Sequence, residues 1–289
     1  MTLTIRPLSA QSGAEISGVD LKAPLDDAIF SEIRNVLHER GAIFFRGQHL
    51  TPAEQAAFAR RFGQLDVNDY ATGMTGVDGE QQVRLVAREP QDGRNIGGFW
   101  HMDQSFHPHP NYVTMLAAVE LPPFGGDTMF AHLGAACDAL SDGMRTMLEG
   151  LSTVHVKSRL YGSDGQPSPD VTEEFYRDIR EKWAGLEATH PLIAIHPDTG
   201  RRLLYYSPKY SERIDGWTRA ESLPLMNYLA EVATRPEHVC RYSWTDGDLA
   251  LWDNRSVLHY ALDDYPGHRR VMHRIVIGGE WLRPVAQAA

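Results

Sequence analysis

Apolar positions along the 289-residue chain follow two rhythms, helical near the start and strand-like later. Residues 26–40, DDAIFSEIRNVLHER, place Ile29, Ile33, Val36 and Leu37 at spacings of three and four, a helical face that Gly41 ends. GAIFFRG (41–47) predicts a short strand between glycines. TPAEQAAFARRFG (51–63) opens with a capping box from Thr51 to Glu54, has Pro52 at the first helical position and stops at Gly63. These pieces predict helices lying outside a sheet. From residue 99 onward strands dominate. NYVTMLAAVEL (111–121) is an apolar strand ended by Pro122 and Pro123. PLIAIHPDTGRRLLYYS (191–207) predicts a hairpin turning at Pro-Asp-Thr-Gly. CRYSWTDGDLALWDN (240–254) predicts a second hairpin, and RRVMHRIVIGG (269–279) a last strand. Helices are predicted at 141–151, 171–183 and 220–234. Short strands clad by helices predict a mostly β jelly-roll core with flanking helices rather than a doubly wound sheet. No repeat or low-complexity tract divides the chain. Residues 1–289 therefore read as one domain with inserted loops at 64–82 and 87–98 and a lid at 158–187. Loops of such length usually carry function.

Composition narrows the class. With 42% hydrophobic and 23% charged residues, the expectation is a soluble globular protein with a sizeable core. A formal charge of −10 argues against nucleic acid or an anionic membrane as partner, although a local arginine cluster can still hold a small anion. The two cysteines, Cys137 and Cys240, are too few for a disulfide framework or a Cys-rich zinc site, and read as reduced core thiols. The segment MTLTIRPLSAQSG lacks an apolar signal core, so the expected compartment is the cytoplasm.

Chemistry concentrates in FWHMDQSF (99–106). In an extended segment residues i and i+2 leave the same face, so His101 and Asp103 can converge on one ion. The pair alone is weak, because H-x-D is common by chance, and thirteen histidines compete as third ligand. His107 and His109 lie in HPHPN, where prolines break the strand. His259, in WDNRSVLHYALDDY, follows an apolar strand at the mouth of the expected barrel. Two histidines and a carboxylate on one face, with other positions open, form the facial triad of non-haem Fe(II) oxygenases. In RRVMHR, Arg270, Met272 and Arg274 share a strand face opposite that of Arg269, Val271 and His273. Asp127, Asn254 and the remaining histidines read as structural groups, and Gly125–Gly126 as a turn.

WHMDQSF, PPFGGDTMFA and WDNRSVLHYALDDYPGHRRVMHR, in this order, resemble the TauD/TfdA family of Fe(II)- and 2-oxoglutarate-dependent dioxygenases. The similarity runs from GAEISGVDL (13–21) through FFRGQHLT (44–51) to GGEWLRP (278–284). It implies a double-stranded β-helix and a requirement for Fe(II), 2-oxoglutarate and O2. His101, Asp103 and His259 match the iron ligands. Thr128 and Arg270 match the groups that hold the distal carboxylate of 2-oxoglutarate, a task suited to a planar guanidinium and a hydroxyl. Arg274 matches a substrate-binding arginine, with the alternative that it braces an acid in the barrel wall. Tyr161, Asn68 and Tyr70 are further substrate-side candidates. The implied reaction hydroxylates a C–H bond of a small anionic organic substrate and releases succinate and CO2. The product collapses to a carbonyl where the attacked carbon bears oxygen or sulfur. The carboxylate of Asp103 points to hydroxylation, because related halogenases lack it. Gly97 stands where the taurine-cleaving members have an asparagine. A bulkier anion, such as an aryloxyalkanoate, an alkyl sulfate or sulfonate or another carboxylate, is therefore expected. Dimers or tetramers are common in such enzymes. Two rival classes stay open at this level: a non-redox metal-dependent hydrolase or lyase, and a non-catalytic jelly-roll binding protein.

Overall fold

The computed structural model describes residues 2–66, 76–77, 79–93, 97–157, 185–279 and 282–285. In chain order the first half contains β1 (Thr4–Pro7), β2 (Ala14–Ser17), α1 (Asp27–Arg40), β3 (Ala42–Phe45), α2 (Pro52–Arg60), β4 (Gly76–Val77), β5 (Glu80–Arg88), β6 (Val113–Glu120), β7 (Thr128–His132), α3 (Leu133–Asp138), α4 (Asp142–Glu149) and β8 (Ser152–Val156). The second contains β9 (Glu187–Pro191), β10 (Ile193–Ile195), β11 (Arg202–Leu204), β12 (Ser211–Ile214), α5 (Arg219–Ala233), β13 (Val239–Tyr242), β14 (Leu249–Asp253), β15 (Val257–Ala261), β16 (Arg270–Ile277) and β17 (Arg283–Pro284).

The continuous apolar runs of β3, β6 and β14 belong to a sheet covered on both faces. Its strand order is β1-β2-β3-β14-β6-β16-β5-β4, antiparallel except where β2 meets β3. Alternate side chains go to opposite layers. Ile43, Phe45, Met115, Leu249, Leu251 and Ile275 meet Phe30, Ile33 and Leu37 of α1 and Phe58 of α2. Their neighbours Phe44, Leu116, Ala250, Trp252 and Met272 face inward and meet Phe130, Tyr242 and Val257 of a second sheet, ordered β13-β7-β15. Each Leu, Ile, Val, Phe or Met among them removed from water contributes about 1.5–3 kcal/mol. The inner layer between these sheets is the jelly-roll core, and it carries the candidate site residues. A further apolar cluster joins β10, β11, α3, α4 and α5 on the outside of the smaller sheet.

Several expectations hold. Helix α1 ends at Gly41, whose φ of 73° is left-handed, and α2 has the Thr51–Glu54 capping box with Pro52 at its start. Strands β10 and β11 form the hairpin at residues 193–204. Cys137 and Cys240 are buried free thiols, each pushed up to about 11 by burial.

Others need correction. Residues 240–254 do not form a hairpin: β13 pairs with β7, whereas β14 pairs with β3 and β6, so the chain crosses between sheets at the Thr-Asp-Gly-Asp corner. Buried Asp248 holds that corner, accepting from Thr245 N (2.7 Å), Tyr242 Oη (2.8 Å) and Arg46 Nη1 (2.6 Å). The expected loops 64–82 and 87–98 contain β4 and most of the ends of β5, which pairs with β16; the intervening polar residues of β5 had masked its strand character. Residues 99–106 form no strand. His101 makes one β-bridge, and a turn follows from Asp103. Tyr161, Asn68, Tyr70, the helix expected at 171–183 and the lid up to residue 184 lie outside the described residues. No helix among the described residues is long and apolar enough to cross a membrane.

Candidate active site

His101 and His259 are locked together by backbone. His101 N–H donates to His259 O (3.1 Å) and His259 N–H returns to His101 O (2.7 Å), across the bridge between segment 97–101 and β15. This pairing sets the two imidazoles side by side, with ring centroids 4.0 Å apart. His101 Nδ1–H donates to Phe99 O (2.8 Å), which turns the lone pair of Nε2 into the cavity. Asp103 follows one residue after buried Met102 and returns to the same side. Its Oδ1 lies 3.8 Å from His101 Nε2 and 3.9 Å from His259 Nε2. Donor atoms of all three residues fall within 4.8 Å of one another. A cation bonded at about 2.1 Å to each can sit between them.

Protonation favours that use. Burial pushes both imidazoles below their ordinary pKa, His259 furthest because His101 is also beside it, so both present neutral lone pairs. Burial opposes ionisation of Asp103, but the guanidinium of Arg274, with the hydrogen bond from Thr114, overrides it and holds the carboxyl well below its usual range. Its Oδ2 is committed: Thr114 Oγ1 and Arg274 Nη2 each donate to it at 2.7 Å. Only Oδ1 is turned toward the histidines.

The triad opens into a cavity of about 330 Å³. Its polar lining includes Thr128, Arg270, Arg274, Gln104 and Lys157, and its apolar lining includes Val86, Phe99, Phe106, Leu116, Tyr210 and Trp252. Arg270, from β16, is 8% exposed, and among the described residues its Nε and Nη2 have no hydrogen-bond partner. Burial lowers its pKa, yet a guanidinium stays charged. Gly126, at φ 73°, makes room for it: a Cβ there would stand 3.3 Å from Arg270 Cδ and Nε. Thr128 Oγ1 accepts Trp244 Nε1–H at 3.0 Å, which leaves its own proton to donate. Two unanswered N–H groups and a hydroxyl proton fit the carboxylate of a small dicarboxylic acid. The two imidazoles and the free carboxylate oxygen fit a divalent metal.

The structure thus brings His101, Asp103, His259, Thr128, Arg270 and Arg274 into one cavity. Arg274 reaches Asp103, the bracing alternative, while its remaining surface lines the cavity. His107 and His109 do not join them; they line a separate cavity of about 810 Å³ with Arg34, Tyr112 and Arg255. Asp127 is structural, accepting from Arg241 and Ser243. Sequence reasoning missed Thr114, Phe99, Phe106, Gln104, Lys157 and Trp252. Thr114 had a signal, being the polar residue at an inward position of an otherwise apolar run. Gly97 has φ 86°, and a Cβ there would lie 3.2 Å from His101 Cε1, so a side chain would occupy the space beside the triad.

Comparison with known proteins agrees with this chemistry. The family described as taurine catabolism dioxygenase TauD, TfdA family matches residues 4–276. An alkylsulfatase of Acinetobacter baylyi is 33% identical over 96% of this chain and 86% of its own length. An (S)-phenoxypropionate/alpha-ketoglutarate dioxygenase of Sphingobium herbicidovorans is 32% identical over 96% of this chain and 95% of its own. Among solved structures, a taurine dioxygenase from Burkholderia xenovorans superposes with a TM-score of 0.79 at 32% identity, covering 98% of this chain and 92% of its own. A complex of AAD-2 with Mn(II) and N-oxalylglycine gives 0.79 at 29% identity, covering 99% and 100%.

Proposed function

Because the chain belongs to the TauD, TfdA family and is a 2-oxoglutarate-dependent dioxygenase with a metal site, we propose that it uses Fe(II) and O2 to hydroxylate a small anionic organic molecule. His101, Asp103 and His259 are the ligands in this reading. Bound there, the metal with 2-oxoglutarate and O2 supplies the oxidising power that puts one oxygen atom into a C–H bond as the co-substrate becomes succinate and CO2. The chain's own residues do the rest. The neutral imidazoles and Asp103 Oδ1 hold the metal from one side. Arg270 and Thr128 grip the distal carboxylate and so set the direction in which the co-substrate reaches it. Phe99, Phe106, Leu116 and Val86 wall the cavity against water and accept an apolar substrate body.

The observation that carries the reading is Arg270, a buried cation with two N–H groups unanswered, in the same cavity as the triad. A hydrolase or lyase on these ligands, or a binding protein without chemistry, gives that group no purpose. For the substrate, the relatives introduced above are an alkylsulfatase and an (S)-phenoxypropionate dioxygenase. Arg274 and Lys157 in the lining supply positive charge for a comparable anion, and Gly97 leaves space for a body larger than taurine. Residues 1–289 act as one catalytic domain in this reading, in the cytoplasm, where buried Cys137 and Cys240 remain reduced.

Succinate formation with Fe(II), 2-oxoglutarate and O2 tests the reaction, and a panel of anionic compounds with neutral analogues of the same body tests the substrate. The expected result is one succinate per hydroxylated anion and little turnover of the neutral analogues. Equal turnover of both would remove the anionic class; absence of succinate with every compound would remove the reaction. Comparing substrates on the unaltered protein is cleaner than replacing Arg274, whose loss would also release Asp103.

A further inference from the structure

We propose that Thr114 and Asn254 are positioning residues that force Asp103 to ligate metal through one oxygen, Oδ1, and so preserve the open coordination positions. The inference rests on the reading of His101, Asp103 and His259 as the metal ligands.

Hydrogen-bond polarity around these two side chains admits one arrangement. The indole Nε1–H of Trp252 can only donate, and it donates to Asn254 Oδ1 at 2.9 Å. The amide oxygen of Asn254 is thereby assigned, and it also faces Asp103 N–H at 3.4 Å. Asn254 Nδ2 must then point the other way, where it donates to Thr114 Oγ1 at 2.9 Å. The Thr114 hydroxyl has a single proton and, with its lone pair taken by Asn254, sends that proton to Asp103 Oδ2 at 2.7 Å. An ionised carboxylate only accepts. Arg274 Nη2 occupies the same Oδ2 at 2.7 Å from the other strand.

Two donors on Oδ2 satisfy that oxygen and leave Oδ1 as the ligand atom. Thr114 and Asn254 are 0% and 1% exposed, so water does not compete for these bonds. The relay also ties together distant pieces of chain. Thr114 lies on β6, Asp103 on the turn after His101, and Asn254 on the turn that leads from β14 into β15, which carries His259. Asn254 N–H donates to Tyr112 O at 2.9 Å, anchoring that turn to the start of β6. Asn254 is thus more than the structural group its sequence context implies: its amide passes the orientation of the Trp252 indole to the metal-binding acid. Groups that orient metal ligands in this way typically change metal affinity 10–100-fold when removed.

The test titrates Mn(II) into metal-free wild type, Thr114→Val, Thr114→Ser and Asn254→Ala, following free Mn(II) by electron paramagnetic resonance, with thermal melts of the metal-free forms to verify folding. Valine keeps the shape of threonine and removes the donor. The expected result is a Kd raised at least about tenfold in Thr114→Val and Asn254→Ala, with Thr114→Ser restoring the wild-type value. Folded Thr114→Val and Asn254→Ala that bind Mn(II) as the wild type does would overturn the proposal. Should both variants fail to fold, a crystal structure of the wild-type Mn(II) complex decides. Ligation by Oδ1 alone, with Thr114 and Arg274 still on Oδ2, supports it, and ligation by Oδ2 or by both oxygens overturns it. Failure of the wild type itself to bind Mn(II) is a separate outcome, and it sinks the reading of the triad together with the relay.

Discussion

An ion buried with its hydrogen-bonding groups unanswered costs several kcal/mol even after the protein relaxes around it, and Arg270 is in that position at 8% exposure, with Nε and Nη2 unanswered among the described residues and the charge of Asp127 acting on it without a hydrogen bond. The arrangement becomes favourable when a carboxylate enters. Replacing Arg270 by Gln should therefore raise KM for 2-oxoglutarate roughly a hundredfold, about 3 kcal/mol, while leaving the Kd for Mn(II) unchanged. Steady-state kinetics and a metal titration measure the two; a co-substrate KM left at the wild-type value would contradict the assignment. Arg270 was legible in the sequence because strand parity puts it with Met272 and Arg274, and because its family match lies eleven residues beyond His259. The proposed ligands were legible for a related reason: two-residue spacing holds locally from His101 to Asp103 even though the segment is a single bridge and a turn. Thr114 showed only as a polar residue at an inward strand position, and neither it nor Asn254 was legible as a residue that orients Asp103. Their role depends on the polarity of hydrogen bonds between three strands and two turns, which no spacing within one segment encodes.

At the scale of elements, the fold stores acid sensitivity in buried neutral histidines. His132 begins α3 and accepts from Gly134 N (3.0 Å) and Ala135 N (3.3 Å) through Nδ1, which it can do only while that nitrogen lacks a proton. Burial, with Arg201 nearby, lowers its pKa to about 3; burial likewise takes His38 on α1 and His190 on β9 to about 4. A histidine depressed on folding holds fewer protons folded than unfolded between its folded value and 6.5. Stability is thus fully present above pH 6.5 and is lost as pH falls through this window, by up to about 1.4 kcal/mol per pH unit for each group. Below it, protonation of Asp253 adds a further loss; burial opposes its ionisation, but Arg255 and His196 hold it well below the usual carboxylate range. Urea unfolding midpoints should drop between pH 7 and pH 4.5, and His132→Asn, which keeps a capping side chain, should show a shallower drop. Identical pH slopes in the two proteins would exclude His132 as a source. Periodicity found α1, α2, α4 and α5 and the apolar strands β3, β6 and β16, but not the short α3. It failed where polar residues interrupt β5, and at residues 240–254, where a turn-forming sequence joins two sheets and local pattern cannot distinguish a corner from a hairpin.

For the whole molecule, a formal charge of −10 and a cavity lined by Arg270, Arg274 and Lys157 work in opposite directions. The surface field disfavours anions at a distance, so affinity for an anionic co-substrate and substrate must come from buried, short-range contacts that salt screens little. Two sheets and their outer helices exist, in functional terms, to hold those contacts on a buried inner layer: β15 carries one histidine, β16 both arginines and β7 the threonine, all facing the same inner layer. The jelly-roll architecture and this inner face were readable from the strand patterns and the three matching blocks of sequence, whereas Phe99, Gln104 and Phe106, which also line the cavity, come from a turn and a segment with no regular period. Whether metal and 2-oxoglutarate meet at this face is tested most directly by visible absorption under anaerobic conditions, adding 2-oxoglutarate to the Fe(II)-loaded wild type and to His259→Ala. The expected result is a metal-to-ligand charge-transfer band in the wild type that is absent from the variant. No band in the wild type, or the same band in both proteins, would contradict the joint site of His101, Asp103 and His259.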